Sequence, residues 1–191
     1  MSALTSDTPP KDDWTSSDLE KFPEDGVRRE LFNGVMHVTP SPSSIHQTLA
    51  MLLGVALTQS CPEELFVSQA NEVELAPKEV YIPDLLVINF EAAKSGCGKF
   101  PAADVVLAAE IVSPSTKGTD RVTKPSGYAH AGIPHFWLIE TLGGLEITAF
   151  ELNRGTQSYD EVAVFSGDDT IRLDQPWPIE IPLASVRPRN L

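Results

Sequence analysis

The chain has 191 residues, enough for one domain with a substantial core, and its hydrophobic fraction of 41% and charged fraction of 21% are typical of globular proteins. Its formal net charge is −13. Because an acidic protein releases few counterions from a phosphate backbone, this charge argues against tight, nonspecific binding to duplex nucleic acid. A local phosphate site is still compatible with the sequence, since Lys117, Arg121 and Lys124 lie close together against Asp120.

The sequence favours a cytoplasmic protein with no part in a membrane. The N-terminus lacks the basic segment and apolar run of a signal peptide. The longest apolar run, residues 49–57, is too short to span a bilayer. Cys61 and Cys97 have neither the spacing of metal ligands nor that of a disulfide framework.

The predicted organisation is a disordered acidic leader over residues 1–13, followed by a single domain over residues 14–191. Near the start of the domain, the sequence predicts a hairpin over residues 28–39, because Asn33-Gly34 separates two short strand-like arms. An Asn-Gly pair in this setting is the strongest short-range hairpin signal.

A long amphipathic helix follows the hairpin. Ser43 or Ser44 can cap its start, and Pro62 ends it. One face of this helix carries six apolar residues at helical spacing: Ile45, Leu49, Leu52, Leu53, Ala56 and Leu57. The remaining predicted elements are a short helix at residues 15–22, a helix within residues 120–131, and strands at residues 65–67, 71–75, 135–140, 145–152 and within 158–184.

Two apolar, β-branched runs each contain one acid, and the rest of the chain is organised around them. Residues 81–88 contain Asp84, and residues 105–112 contain Glu110. Runs of this kind predict strands that are covered on both faces. A carboxylate in such a strand is costly to desolvate unless it is paired or binds a metal. The two runs therefore predict two carboxylates that meet at one cation, for which Mg²⁺ is the hard, oxygen-liganded candidate.

The order of elements predicts a mixed α/β (α+β) domain with one central mixed sheet flanked by helices. The N-terminal hairpin and the short C-terminal strands lie at its two ends in sequence. The site is expected at the ends of the central strands.

The spacing and neighbours of the two acids also resemble a known sequence pattern. Pro83-Asp84 followed by Glu110 resembles the PD-(D/E)xK nuclease pattern, although Val112 stands where that pattern has its lysine. More specifically, the chain is similar to the Uma-two family of restriction-endonuclease-like proteins over about residues 14–152. The matching segments are residues 29–34, 42–47, 83–87, 110–116, 120–124 and 128–139.

The resemblance implies a restriction-endonuclease-like fold and a hydrolase that cleaves phosphodiester bonds in DNA. It implies Mg²⁺ as cofactor, with Mn²⁺ as a substitute, held by Asp84, Glu110 and the carbonyl of Ile111. In this family the lysine lies on the helix after the second acid, and Lys124 matches that position. Lys117 is the fallback lysine if Lys124 points away.

Four further residues have open roles. Glu30 either completes an acidic cluster or is an exposed hairpin carboxylate, and His46 either carries a proton in the site or packs and caps. Asp120 is either a helix-start carboxylate, which we favour, or a partner of Lys124. Tyr128 is expected to pack in the core.

The leading hypothesis is an Mg²⁺-dependent endonuclease that acts as a homodimer, since duplex cleavage requires two active sites or two visits. Two alternatives stay open. One is a binding or assembly module that kept the fold but lost efficient chemistry, which Val112 and the acidic charge favour. The other is a phosphodiesterase for small or single-stranded nucleic acids, which needs less basic surface.

Overall fold

The structure is a computed structural model that describes residues 13–23 and 25–191. The predicted acidic leader lies outside the described residues except for Asp13, whose carboxylate is 2.7 Å from Nζ of Lys78. The division into a leader and one domain stays a prediction. Within the described residues, no helix is long and apolar enough to cross a bilayer.

Residues 13–23 and 25–191 contain five α-helices: α1 Ser16–Leu19, α2 Ser44–Ser60, α3 Phe90–Ala93, α4 Lys124–His130 and α5 Leu183–Val186. A 3₁₀ turn spans Ala102–Asp104, and a π-helical turn at Thr119–Thr123 leads directly into α4. Pro125 lies in the first turn of α4, where the absence of its N–H costs no helical hydrogen bond.

In the part of the chain that the structure describes, thirteen strands form two large sheets and one small one. The five-stranded sheet has the order β2-β1-β5-β4-β7 and contains β1 Arg29–Phe32, β2 Val35–Val38, β4 Glu72–Ala76, β5 Glu79–Tyr81 and β7 Lys99–Pro101. The six-stranded sheet has the order β11-β10-β9-β8-β6-β3 and contains β3 Leu65–Gln69, β6 Leu85–Asn89, β8 Val105–Ile111, β9 His135–Glu140, β10 Glu146–Asn153 and β11 Ser158–Ser166. The small sheet pairs β12 Thr170–Leu173 with β13 Ile179–Pro182. All neighbours are antiparallel except β4–β7 and β8–β9.

Local sequence explains the hairpin and the long helix as predicted. Asn33 and Gly34 both have positive φ, at 50° and 78°, which is the conformation that a two-residue type I′ turn requires. Ser43 caps α2 by accepting a hydrogen bond from the backbone N–H of His46. The helix ends at Ser60, before Pro62.

The six-stranded sheet is the predicted central mixed sheet, and it is covered on both faces. One face packs against α2, the small sheet and α5, through a core that includes Leu53, Leu107 and Trp137. The other face packs against the five-stranded sheet and α4, through residues such as Phe136 and Tyr128. The predicted mixed α/β class is confirmed, but the five-stranded sheet is an additional layer that the expectation of one central sheet missed.

The prediction of one strand over residues 81–88 is wrong. The run is divided into β5, which ends at Tyr81 in the five-stranded sheet, and β6, which starts at Leu85 in the six-stranded sheet. Pro83 cannot donate to a ladder. The N–H of Ile82 donates to Oε1 of Glu30 at 2.9 Å instead of to a strand. The chain therefore crosses between the two sheets at residues 82–84.

Candidate active site

The crossover before β6, the end of β8 and the start of α4 line a cavity of about 300 Å³. Its walls include all the predicted site residues: Glu30, His46, Asp84, Glu110, Ile111 and Lys124. Two loops with proline and serine, residues 40–43 and 113–116, also line it.

Asp84 is held at the entrance to β6, where only 9% of it is exposed. Its Oδ2 atom accepts a hydrogen bond from the backbone N–H of Ile111 at 2.8 Å and lies 3.0 Å from Nε2 of His46. Its Oδ1 atom faces Arg28, whose Nη2 lies 3.7 Å away. Asp84 thus joins the end of β8 to the first turn of α2, which carries His46.

Glu110 and Lys124 form a buried pair with exposed fractions of 1% and 4%. Nζ of Lys124 lies 3.0 Å from Oε1 and 3.1 Å from Oε2 of Glu110. The same ammonium lies 2.8 Å from Oε1 of Glu30, which β1 brings from the five-stranded sheet. Glu30 is only 5% exposed, so the alternative of an exposed hairpin carboxylate is wrong.

Lys124 supplies the ammonium that the nuclease pattern expects from the residue at position 112. Residue 112 follows Glu110 by two positions, but Val112 is an apolar, fully buried residue just beyond the end of β8. The ammonium beside Glu110 comes instead from α4, as the family resemblance implied. Lys117 is exposed and does not line the cavity, so its geometry does not support the fallback role.

The backbone of Ile82 ties this charge cluster together. Its carbonyl accepts hydrogen bonds from Lys124 at 3.3 Å and from Nη2 of Arg28 at 3.1 Å, while its N–H donates to Glu30. Backbone groups that would otherwise continue a strand are thus satisfied by side chains of the site. The interrupted strand and the charge cluster are one arrangement.

Tyr128 is a site contact that the sequence analysis missed. Its ring packs in the core as predicted, but its hydroxyl also donates a 2.6 Å hydrogen bond to Oε1 of Glu110. Tyr128 follows Lys124 by four residues, so both lie on one face of α4. This i, i+4 spacing from the lysine is the signal that could have identified it.

Burial and neighbouring charges shift the pKa values in different directions. Burial raises the pKa of Glu110 well above its ordinary value. Three nearby acids raise it further, and the ammonium of Lys124 offsets only part of the rise. Burial alone would lower the pKa of Lys124, but the surrounding carboxylates, Glu110 foremost, raise it above its ordinary value. Burial opposes the ionised form of Asp84 too, but His46, Lys124 and the N–H of Ile111 together outweigh it, and the pKa of Asp84 is lowered. Lys124 and Asp84 are therefore both charged at neutral pH.

Asp120 belongs to the cavity, although we favoured a helix-start role for it. It lies on the π-helical turn before α4, is 3% exposed and lines the cavity. Burial raises the pKa of this carboxyl to about 6, although Lys124 and Thr116 lower it. The π-helical turn widens the chain at this point, as such turns often do at functional sites.

Two buried nitrogen atoms at the cavity have unused hydrogen-bonding capacity. Nδ1 of His46 and Nε of Arg28 have no hydrogen-bond partner among the described residues. Because Oδ2 of the ionised Asp84 accepts a hydrogen bond, we assign the ring proton of His46 to Nε2, which leaves a lone pair on Nδ1. Arg28 keeps one N–H free for an acceptor that enters the cavity.

The donor atoms fit Mg²⁺ better than a metal that needs a closed protein cage. Within residues 13–23 and 25–191, no three His, Cys, Asp or Glu side chains are grouped so that they could enclose a metal ion. Mg²⁺ does not require such a group, because it keeps several waters and is commonly bound by one or two carboxylates. Oδ1 of Asp84 accepts no hydrogen bond from the described residues. Oε1 of Glu110 is engaged by Tyr128 and Lys124, whereas Oε2, which accepts from Lys124, has further acceptor capacity.

The structure thus brings together every residue that the sequence analysis placed in the site. Their roles as metal ligands or catalytic groups stay predictions, because proximity alone does not test them. Arg28, Thr39 and Tyr128 are additional contacts: Thr39 donates to Oε2 of Glu30 at 3.0 Å.

Comparisons with known proteins agree with this architecture. The Uma2 family model, described as "Putative restriction endonuclease", matches residues 16–184. A solved structure from Anabaena variabilis ATCC 29413, described as "a putative nuclease belonging to DUF820", superposes with a TM-score of 0.66. It shares 15% identity, and the match covers 90% of this chain and 96% of that one, so the likeness shows the fold alone. No curated protein matches the chain. The resemblance drawn from the motifs is confirmed, because the family model spans nearly the whole chain: this protein belongs to the Uma2 family.

Proposed function

We propose that this chain is a divalent-metal-dependent nuclease that hydrolyses phosphodiester bonds in DNA. One observation carries the proposal: Asp84, just before β6, and Glu110, on the neighbouring β8, line one cavity together with the buried ammonium of Lys124. Membership of the Uma2 family, whose description is that of a restriction endonuclease, supports the same reaction class.

The carboxylates of Asp84 and Glu110 and the carbonyl of Ile111 would hold Mg²⁺ or Mn²⁺. When bound, the ion would lower the pKa of a coordinated water and neutralise charge that develops on the phosphate. Oxygen donors of this kind suit a hard divalent cation. The hydrogen bond from Ile111 N–H fixes one oxygen of Asp84, which leaves the other oxygen for the ion.

His46 would take the proton of the attacking water. Asp84 orients the ring through Nε2, and the buried, unpaired Nδ1 has the lone pair that a general base needs. In the reaction, water adds its oxygen to phosphorus, the P–O bond to the departing sugar oxygen breaks, and that oxygen takes up a proton. The products are a phosphate monoester and a free hydroxyl.

Lys124 would stabilise the negative charge that develops during the attack. Its ammonium is preorganised by Glu30, Glu110 and the carbonyl of Ile82, so no reorganisation is needed when charge appears. Glu30 is a positioning residue in this scheme, because it acts through Lys124.

Calorimetric titration with Mg²⁺ and Mn²⁺ tests the metal site independently of catalysis. Asp84→Asn and Glu110→Gln should each weaken binding by roughly tenfold or more. Glu91→Gln is the matched control, because Glu91 is an exposed acid that pairs with Lys94 beside a different groove. Metal binding that neither site substitution weakens would contradict the proposal.

Cleavage of plasmid and oligonucleotide DNA then tests the reaction. Glu110→Gln should lower the rate by about a hundredfold or more, while Glu91→Gln leaves it unchanged. Wild-type protein that binds the metal but cleaves no phosphodiester faster than Glu110→Gln would refute nuclease activity.

A second candidate is a noncatalytic binding module, and the charge network itself favours it. Glu30, Glu110 and Lys124 satisfy one another without a further ion, so the network is also stable as a structural element. The metal titration separates the two candidates, since a purely structural network requires no metal. Homodimerisation and a cytoplasmic location stay predictions.

A further inference from the structure

The functional groups of the cavity lie below the protein surface. Glu110 is 1% exposed and Lys124 is 4% exposed, in a cavity of only about 300 Å³. A scissile phosphate that reaches them must enter the cavity rather than rest across its mouth. The substrate therefore has to present a phosphate on a segment narrow enough to pass the walls.

The walls of the cavity are built to stay in place. The loop at residues 40–43 has two prolines and is fixed to α2 by the hydrogen bond from the backbone N–H of His46 to Oγ of Ser43. The loop at residues 113–116 contains Pro114 and is held by a 2.8 Å contact between the hydroxyls of Ser113 and Thr116. Proline fixes φ and limits the conformations each loop can adopt.

A duplex is poorly matched to this opening. In a duplex each phosphate belongs to a stacked, base-paired helix, so moving one into a recess costs the unpairing and unstacking of its nucleotide, a cost that a single strand avoids. Duplex binding also relies on several phosphate contacts from Lys and Arg. Two cations line the cavity in the described part of the chain, Arg28 and Lys124, and Lys124 is already held by two carboxylates.

We propose that the substrate of this site is a single-stranded segment of nucleic acid, whose flexible backbone can place one phosphate inside the cavity. This inference rests on the proposed function and specifies its substrate class. Arg28 lines the cavity and supplies the positive charge for the entering phosphate, and its Nε has no hydrogen-bond acceptor among the described residues. No Phe, Tyr or Trp side chain lines the cavity in the described residues, and the ring of His46 is held against Asp84, so the site recognises the phosphate rather than a stacked base.

The test compares four substrates of one sequence with Mn²⁺ present: single-stranded DNA, the blunt duplex, the duplex with a single-stranded overhang, and single-stranded RNA. Single-stranded DNA should be cleaved at least roughly tenfold faster than the blunt duplex, and the overhang substrate should be cut within its unpaired part. The RNA arm decides whether the site discriminates against the 2′-hydroxyl.

Salt dependence gives a second readout. Each phosphate contact to a single strand contributes about −0.7 to the slope of log kcat/KM against log salt, so one or two contacts predict a slope of about −1. Ser115→Glu adds a charge to the exposed rim of the cavity and should slow single-strand cleavage, whereas Ser17→Glu, on the exposed side of α1, should not.

The outcomes separate the two proposals. A blunt duplex cleaved as fast as the single strand, or a slope as steep as that for six or more phosphates, overturns the single-strand inference and leaves the nuclease proposal standing. If no substrate is cleaved faster than by Glu110→Gln, the proposed nuclease function fails, and the substrate inference fails with it.

Discussion

The two faces of the six-stranded sheet bury different chemistry, although the same strands build both. On the α2 face, β8 presents Leu107, Ala109 and Ile111 to an apolar core. On the opposite face the same strand presents Ala108 and then Glu110, which meets the ammonium of Lys124. The alternation of side chains along one strand thus separates the apolar core from the charged site by a single residue.

The two faces differ in how strongly their stability depends on any single side chain. Apolar burial adds up residue by residue, at about 1.5–3 kcal/mol for each large side chain. Buried charges cost several kcal/mol per ion unless each keeps its partner, so removal of one member penalises the rest. We therefore expect the α2 face to tolerate conservative changes and the charged face to respond strongly to loss of a single charge.

Lys124→Met should cause the largest loss of stability on the charged face. The substitution keeps the side-chain length but leaves Glu30 and Glu110 buried without their cation. We expect a loss of about 3–5 kcal/mol in the free energy of unfolding at neutral pH. The loss should shrink as the pH falls, because protonation of Glu110, whose pKa burial already raises, removes an unpaired charge. Urea unfolding at several pH values measures both effects.

Leu53→Ala is the control on the other face. Leu53 lies on α2 and is fully buried in the apolar core. Its truncation should cost a similar 2–5 kcal/mol through the cavity it leaves, but that cost should not depend on pH. A Lys124→Met deficit that stays constant across pH would show that lost packing, not unpaired charge, causes it.

Asp120→Asn should produce the next largest effect, as a change in the pH profile of stability. Because the folded pKa of Asp120 is about 6, above the ordinary 3.8, the folded state binds more protons between these values. Wild-type stability should therefore fall as pH rises through this window, by on the order of 2–3 kcal/mol from this group. Asn cannot titrate, so the variant should have a flatter profile between about pH 4 and pH 6.

The matched variant for this measurement is Asp104→Asn, a partly exposed acid beside a different groove. It should leave the slope of the profile as in the wild type. If Asp120→Asn leaves the slope unchanged too, the burial of Asp120 does not govern its titration.

Most secondary structure was predictable because it depends on local signals. The Asn33-Gly34 turn, the Ser43 cap and the strand at residues 135–140 were all predicted with bounds close to those observed. The strand division at residues 82–84 was not, because it depends on Glu30, Arg28 and Lys124, which lie far away in sequence and replace ladder partners.

In the candidate site, too, features with a local sequence signal were predictable and features that depend on long-range packing were not. Asp84 and Glu110 were identifiable as acids in apolar runs, and Lys124 came from family resemblance. The burial of Asp120 was not predictable from the sequence, since it depends on how α4 packs against the sheet. The hydroxyl contact of Tyr128 depends on the same packing, and its four-residue spacing from Lys124 was the signal that could have indicated it. Gly127 shows how close that packing is: a Cβ there would lie 2.5 Å from the ring of Tyr81.

Tyr128→Phe should have the smallest effect on stability. Tyr159→Phe, on the same side of the sheet, is its matched control. Tyr128 donates to Glu110 at 2.6 Å, and Tyr159 donates at 2.8 Å to the carbonyl of Ile133 on the same side of the sheet. Each Tyr→Phe change removes one hydroxyl donor and should cost about 1–2 kcal/mol in unfolding free energy.

The two variants should differ in metal binding. Tyr128→Phe removes a contact that orients a proposed ligand, so Mg²⁺ or Mn²⁺ affinity should fall by about tenfold, whereas Tyr159→Phe should bind as the wild type does. Calorimetric titration of both variants measures the difference, with urea unfolding as the check that each is folded. Equal affinities in the two variants would mean that Tyr128 supports the fold of this face without orienting Glu110. Selective loss in Tyr128→Phe would tie the charged network to the metal site that we propose.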